Sequence, residues 1–461
     1  MLIIGCQVTP AYVSPTGTEV VEQTTLNASG NPRLQNDTPV SDWWNEFDDP
    51  QLSILVENAL SANNDVRVAI ARVREARAFL SEAQLDRLPT VDARADYARQ
   101  RLSEVGIAGQ VADRTINNYD AGFDAFWELD LFGQVQRRIE GVSARSDAAA
   151  EALDAVYVTI AAETARAYLD LRGAQYALNV AKRNERNQSE TVKITQRLRD
   201  GGRASELDVA RAQTQLELTR STIPSVKARI DTSINRLGVL TTEGSAALNH
   251  RLAKLMPLPS LPQWVAIGDA AGLIRRRADV RKVERELAAA MADYGVSVAS
   301  LYPSVSLVGT AAFQSVSLSD FGDNASGLFS IGPSIRWPAF NLGRVRAQIR
   351  QNDARAQAAL ATFEQRVLVA LEDVQTALSN FSREEERRLI LYNAARSAQD
   401  AARIARLRFD QGLDNFLDVL DAERVLLDAE SRLADSETTV ATNLVAVYKA
   451  LGGGWQVMAS H

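Results

Sequence analysis

A chain of 461 residues with one Cys and two His has few side chains suited to metal or nucleophile chemistry. The thiol is Cys6, and one of the imidazoles is His461, the last residue. Zinc sites of the Cys/His type and disulfide frameworks are thereby excluded. His250 lies in the polar stretch 244–251, which reads as a solvated loop, and no convincing nucleophile–base set accompanies it. Gly452, Gly453 and Gly454 follow an apolar helix and read as its stop signal rather than as a phosphate loop. We therefore expect neither an enzyme nor a bound cofactor or metal. The carboxylates say more. Asp418 and Asp421 follow Gly412 and stand three residues apart, on one helix face and offset from an apolar seam through Val419 and Ala422. Acids so placed read as a solvated face near a helix start, where the dipole favours them. Lys and Arg number 51 against 58 Asp and Glu, for a net charge of −7, which argues against nucleic acid as a partner.

The elements that carry these acids come in two sets. Asp65-Val66-Arg67 recurs as Asp279-Val280-Arg281, and Pro89-Thr90-Val91 as Pro303-Ser304-Val305. Trp127, Gly133, Val135 and Ile139 recur as Trp337, Gly343, Val345 and Ile349, and Leu207-Asp208-Val209 as Leu417-Asp418-Val419. Each half reads helix, two strands, long helix, turn, helix: an internal two-fold repeat. Heptad seams run through the helices, as Val66, Ala69, Val73, Ala76, Leu80 and Ala83, then as Val209, Ala212, Leu216 and Thr219 with the twin Val419, Ala422, Leu426 and Ala429. Such spacing supercoils helices on their neighbours. Residues 143–199 and 344–408 predict rods of about 80–100 Å at about 1.5 Å per residue. Pro224 stands where the twin holds Ala434, so one hairpin should bend more than the other. Pro257, Pro259 and Pro262 predict an extended crossing between the halves.

Four segments alternate instead. Tyr119, Ala121, Phe123, Ala125, Trp127, Leu129 and Leu131 interleave with Asp120, Gly122, Asp124, Phe126, Glu128 and Asp130. Phe329 to Trp337, Val91 to Tyr97 and Val305 to Phe313 alternate likewise. No run of about 18 apolar residues exists to cross a bilayer as a helix. A strand with one apolar and one carboxylate-bearing face suits a membrane barrel with lipid outside and water inside. Four strands cannot close one. Two chains would give a filled eight-stranded barrel, and three chains would give twelve strands and a lumen.

These motifs resemble the outer-membrane efflux proteins of the TolC kind, in their lipoprotein branch. The resemblance is carried by Trp43-Trp44 through Phe47-Asp48-Asp49-Pro50-Gln51-Leu52, by Asn64-Asp65-Val66 with Ala69 and Ala76, and by Trp127-Glu128-Leu129-Asp130-Leu131-Phe132-Gly133. Leu273 to Val280 resembles the family's Arg-Arg-Pro-Asp signature with Ala278 in place of Pro, and Pro303 to Leu307 with Gly343-Arg344 completes the set. The resemblance implies an α+β membrane protein, a homotrimer whose 12-stranded transmembrane β-barrel continues into a 12-helix periplasmic α-barrel. It would be a passive exit duct in the outer membrane, fed by an inner-membrane pump through a periplasmic adaptor. Residues 1–60 would hold a lipobox-like segment and an equatorial belt, 61–240 the first repeat, 241–275 the equatorial crossing, 276–452 the second repeat and 453–461 a tail.

Four site expectations follow. Leu2-Ile3-Ile4-Gly5-Cys6 resembles a lipobox, so Cys6 is expected to carry a covalent lipid, on a longer native start. Trp127 and Trp337 end alternating strands and belong at a membrane–water interface or in a buried strand-to-helix junction. Gly202 and Gly412 mark the hairpin tips where the adaptor would dock. By resemblance Asp418 and Asp421 form a carboxylate ring at the periplasmic aperture, with Asp208 and Asp414 at the same level. Asp414 stands where the family's Arg makes a closing bridge, and could instead join the ring or pair with Arg203. A reading from another class stays open: a coiled-coil scaffold whose strands form a small capping sheet, without transport.

Overall fold

The computed structural model describes residues 8, 12–15, 30–103, 115–413 and 415–454. In chain order the elements are β1 (Leu34–Gln35), a 3-10 turn (Trp43–Phe47), α1 (Pro50–Ala62), α2 (Asn64–Leu85), β2 (Thr90–Arg101), β3 (Thr115–Leu129), α3 (Gln134–Asp200) and α4 (Glu206–Thr241). There follow α5 (Ser245–Leu252), β4 (Val265–Ala266), α6 (Ala270–Arg276), α7 (Ala278–Ala299), β5 (Ser304–Ser315), β6 (Gly327–Arg336), α8 (Leu342–Asp410) and α9 (Phe416–Ala450). With 67 and 69 residues, α3 and α8 are each about 100 Å long. Among the described residues no helix is long and apolar enough to cross a membrane. Contacts divide the chain into two compact units, one of residues 1–15, 72–149 and 282–363, the other of 16–71, 150–281 and 364–461. Each unit draws on both sequence halves.

The first unit is built on one antiparallel sheet of order β2-β3-β5-β6. Its registers run unbroken, from Thr90↔Phe126 to Arg101↔Thr115, from Tyr119↔Ser315 to Leu129↔Val305 and from Ser304↔Arg336 to Phe313↔Gly327. Odd residues therefore stay opposite odd ones across all four strands, so each face is drawn from residues of a single parity. Helix α3 starts at Gln134, earlier than the expected 143, because the Asp130 carboxylate accepts the amides of Val135 and Gln136 at 3.1 and 2.7 Å. At the same end the Trp127 indole donates to the Arg87 carbonyl at 2.9 Å, and the Trp337 indole to the Leu301 carbonyl at 3.0 Å. Each tryptophan thus ties a strand end to the close of the preceding helix.

The second unit holds the hairpins α3–α4 and α8–α9, counted from residues 150 and 364 onward. Seam residues Val209, Ala212, Leu216 and Thr219 are buried, as are Val419, Leu426, Ala429 and Leu433. The seam packs lean: Ala395, Ala398 and Ala402 of α8 meet Leu426, Ala429 and Leu433 of α9. Between hairpins α3 and α9 approach closely at Gly173, where a Cβ would collide with the Thr438 side chain. Pro224 lies inside a continuous α4. Beside the hairpins, β1 and β4 pair in parallel, Trp43 stacks on Tyr448 with centroids 4.9 Å apart, and the Tyr168 phenol donates to Asp49 at 2.7 Å. The stretch around His250 is a helix rather than a loop: Leu248 and Leu252, one turn apart, are fully buried and anchor α5, which leaves His250 exposed.

Candidate functional site

Two surfaces bear on function, the sheet faces in the first unit and the hairpin turns in the second. On the sheet the odd face reads Val91, Ala93, Ala95 and Tyr97, then Tyr119 to Leu129, then Val305 to Phe313, then Phe329, Ile331, Pro333 and Ile335. This continuous apolar face stands bare, with Phe329 84% and Ile331 73% exposed. Aromatic rings bracket it. Tyr97 meets Tyr119 at 5.0 Å and Phe321 lies 6.4 Å from both Tyr119 and Phe313, while Trp127, Trp337 and the stacked pair Phe132–Tyr302 mark the other end. Tyr119 and Trp127 are eight residues apart in one strand, about 27 Å at about 3.4 Å per residue. The even face carries Asp92, Arg94, Asp96, Asp120, Asp124, Glu128 and Arg336. There Arg94 bridges Asp120 at 2.9 Å and Asp124 at 3.1 Å, and the Thr310 hydroxyl donates to Asp124 at 2.7 Å.

Gly202 and Gly412 close the hairpins with φ of +70° and +74°, a conformation an L side chain rarely adopts. In each turn the amide three beyond the helix reaches back to its last turn, Arg203 to Leu198 at 2.8 Å and Leu413 to Arg408 at 2.9 Å, with the glycine amides on Arg199 and Phe409. The two turns are neighbours, since an Arg203 guanidinium nitrogen lies 2.8 Å from where a Gly412 Cβ would be.

The four acids singled out in the sequence have different surroundings. Asp208 closes a capping box: its carboxylate accepts the Ser205 amide at 3.0 Å and hydroxyl at 2.7 Å, which holds its pKa below the usual carboxylate range. The Asp418 amide is capped by Asn415 at 3.2 Å, and its side chain is exposed. Asp421 is exposed too, but pairs with Arg424 at 2.7 Å. Asp414 and Cys6 lie outside the described residues.

Sequence reasoning missed the residue that joins the hairpins. Glu423, on α9 and 3% exposed, takes Arg406 Nε of α8 at 2.7 Å and the Thr191 hydroxyl of α3 at 2.8 Å on one oxygen. One residue off the seam at Ala422, a charge beside the apolar row was its only sign. A turn or two along, Glu430 takes Arg183 and Asn184 of α3 at 2.8 and 3.0 Å. The signature around Asp279 likewise has a local use. Buried Arg277 donates to both Asp279 oxygens, to Asp373, and to the Ala450 carbonyl that ends α9. Ala278 fills the first position of α7, the helix position that Pro generally favours. These charges line a cavity of about 670 Å³ together with Arg366, which also reaches Asp279.

The sequence model of the family described as outer membrane efflux protein matches residues 55–242 and 272–453. Nodulation protein T of Rhizobium leguminosarum bv. trifolii is 29% identical over 100% of this chain and 97% of its own. The solvent efflux pump outer membrane protein SrpC of Pseudomonas putida is 28% identical over 99% and 97%. Among solved structures the outer-membrane channel OprN superposes with a TM-score of 0.91 at 39% identity, over 98% of this chain and all of OprN.

Proposed function

Because the chain belongs to the outer membrane efflux protein family and is the outer-membrane channel of an efflux system, we propose that three copies of it build one passive duct. The observation that carries the trimer is the sheet: four strands with an exposed apolar face, a charged opposite face, and open edges at β2 and β6. An apolar face of that extent is not left in water. Turned outward, its span between aromatic rings fits the apolar band of about 25 Å in membrane barrels. Pairing β6 of one copy with β2 of the next satisfies both edges, and three copies give twelve strands. The scaffold reading leaves that face uncovered.

In this reading α3, α4, α8 and α9 of three copies form the periplasmic barrel of twelve helices, and the turns at Gly202 and Gly412 receive the adaptor, which links the duct to the inner-membrane pump. Leu207, Leu413 and Leu417 stand exposed around those turns and would supply the apolar part of that contact. Asp418 and Asp421 ring the aperture in threes. Cys6 carries a lipid that reinforces membrane attachment, and Trp127 and Trp337 lie at the periplasmic interface. The cargo is a small molecule whose class the wide lumen does not select. Native mass spectrometry and planar-bilayer recording of the purified chain test the trimer: three chains per particle and stepwise conductance support it, and a monomeric, non-conducting protein overturns it.

A further inference from the structure

The odd face of the sheet carries only two charges among its described residues, and both are arginines. Continuing the parity of Val91, Ala93, Ala95 and Tyr97, the next outward positions of β2 are Arg99 and Arg101, paired in register with Asn117 and Thr115 of β3. They come directly after the Tyr97–Tyr119 aromatic pair, at the end of the strand remote from α2. Every carboxylate of the four strands, from Asp92 to Glu128, points to the other face. Both arginines are exposed, and among the described residues neither guanidinium has an ion pair or hydrogen bond.

A solvated rim would not need this segregation. On the face that meets lipid, the first residues past the aromatic ring stand at headgroup depth, where a guanidinium meets phosphate oxygens in the forked geometry it fits best. Resting on the membrane-spanning reading above, we propose that Arg99 and Arg101 form a docking site for the phosphate groups of lipid headgroups in the outer leaflet. The apolar band below them, with small residues at Ala93, Ala95 and Ala121 beside Phe123 and Phe313, receives the acyl chains of the same lipid. Three such sites surround the barrel, each at the β2 edge where neighbouring copies meet.

The test uses the full-length trimer in nanodiscs of phosphatidylcholine containing diphosphorylated lipid A, with retained lipid read by native mass spectrometry. The parent should hold the phosphorylated lipid, and Arg99→Gln/Arg101→Gln should bind it about thirty-fold more weakly with trimer mass and conductance unchanged. Lipid A stripped of its phosphates should bind parent and variant equally weakly, and free inorganic phosphate should not displace the lipid. In the parent alone, raising salt should release it, a readout that stands if the double variant fails to assemble. Equal retention by parent and variant, or salt-insensitive retention, overturns the proposal while leaving the channel intact. So does the outcome in which the arginines pair instead with Asp320 and Asp323 of the adjacent copy. Asp320→Asn/Asp323→Asn would then weaken the trimer as much as the arginine variant, with lipid binding unmoved. A parent that neither inserts nor conducts overturns the channel reading and this site with it.

Discussion

Arg406→Ala removes the cation that faces a carboxylate with a 2% exposed side chain and leaves Glu423 with the Thr191 hydroxyl alone. Stripping one partner from a buried pair costs about 3–5 kcal/mol. Arg406 is itself 36% exposed, so water already screens the pair and the lower end, about 3 kcal/mol, applies. Glu423→Ala is the milder change. Arg406 can then turn to solvent, and Thr191 keeps a second acceptor in the Asn187 carbonyl at 3.2 Å, so the cost is about 1–2 kcal/mol. Because Glu423 joins α3 to α8 and α9, the loss should appear as local opening of the hairpins, read by amide hydrogen exchange of the reconstituted protein. Amides of residues 191–198 and 416–420 should exchange about 100-fold faster in Arg406→Ala and about 10-fold faster in Glu423→Ala. Arg406→Ala/Glu423→Leu, which leaves no buried charge, should return most of the way to the parent. Exchange faster in Glu423→Ala than in Arg406→Ala, or unchanged in both, would refute the reasoning.

Three further outcomes are expected. Burial, and then the neighbouring Glu151, push the Asp154 carboxyl up to about 6 against the pull of Arg281; the folded form then holds this proton more tightly than the unfolded one, so stability declines as pH rises from about 4 to 6. Asp154→Asn should flatten that slope and raise stability at neutral pH in thermal melts. In single-channel recording Asp418→Asn should reduce cation preference more than Asp421→Asn, because Arg424 already offsets Asp421; equal effects would count against this assignment of charge. Ser205→Ala should cost about 1 kcal/mol and fray the start of α4, seen as faster exchange at Asp208 and Val209 and undone by Asn or Thr at position 205.

Periodicity exposed much of this architecture in the sequence. On α2 the spaced row Val66, Ala69, Val73, Ala76, Leu80 and Ala83 is the row that is buried or half-buried, with nearly all its neighbours exposed. Strand parity carried over because no bulge interrupts any register. What periodicity misses is set by long-range contact. The early start of α3 depends on Asp130 reaching past Gly133, and α5 depends on a surface for Leu248 and Leu252. The hairpin turns were legible through their glycines, since positive φ favours that residue. The joint at Glu423 was not, because its partners lie 17 and 232 residues away and no local pattern marks such a meeting.

The central claim is that one sheet face meets lipid and the other water. Spin labels placed singly at each position from Val91 to Tyr97, in the full chain reconstituted in phospholipid vesicles, test it through collision with dissolved oxygen and with a water-soluble nickel complex. The account predicts strict alternation, with oxygen contact at 91, 93, 95 and 97 and nickel contact at 92, 94 and 96. Nickel contact at every position would contradict it.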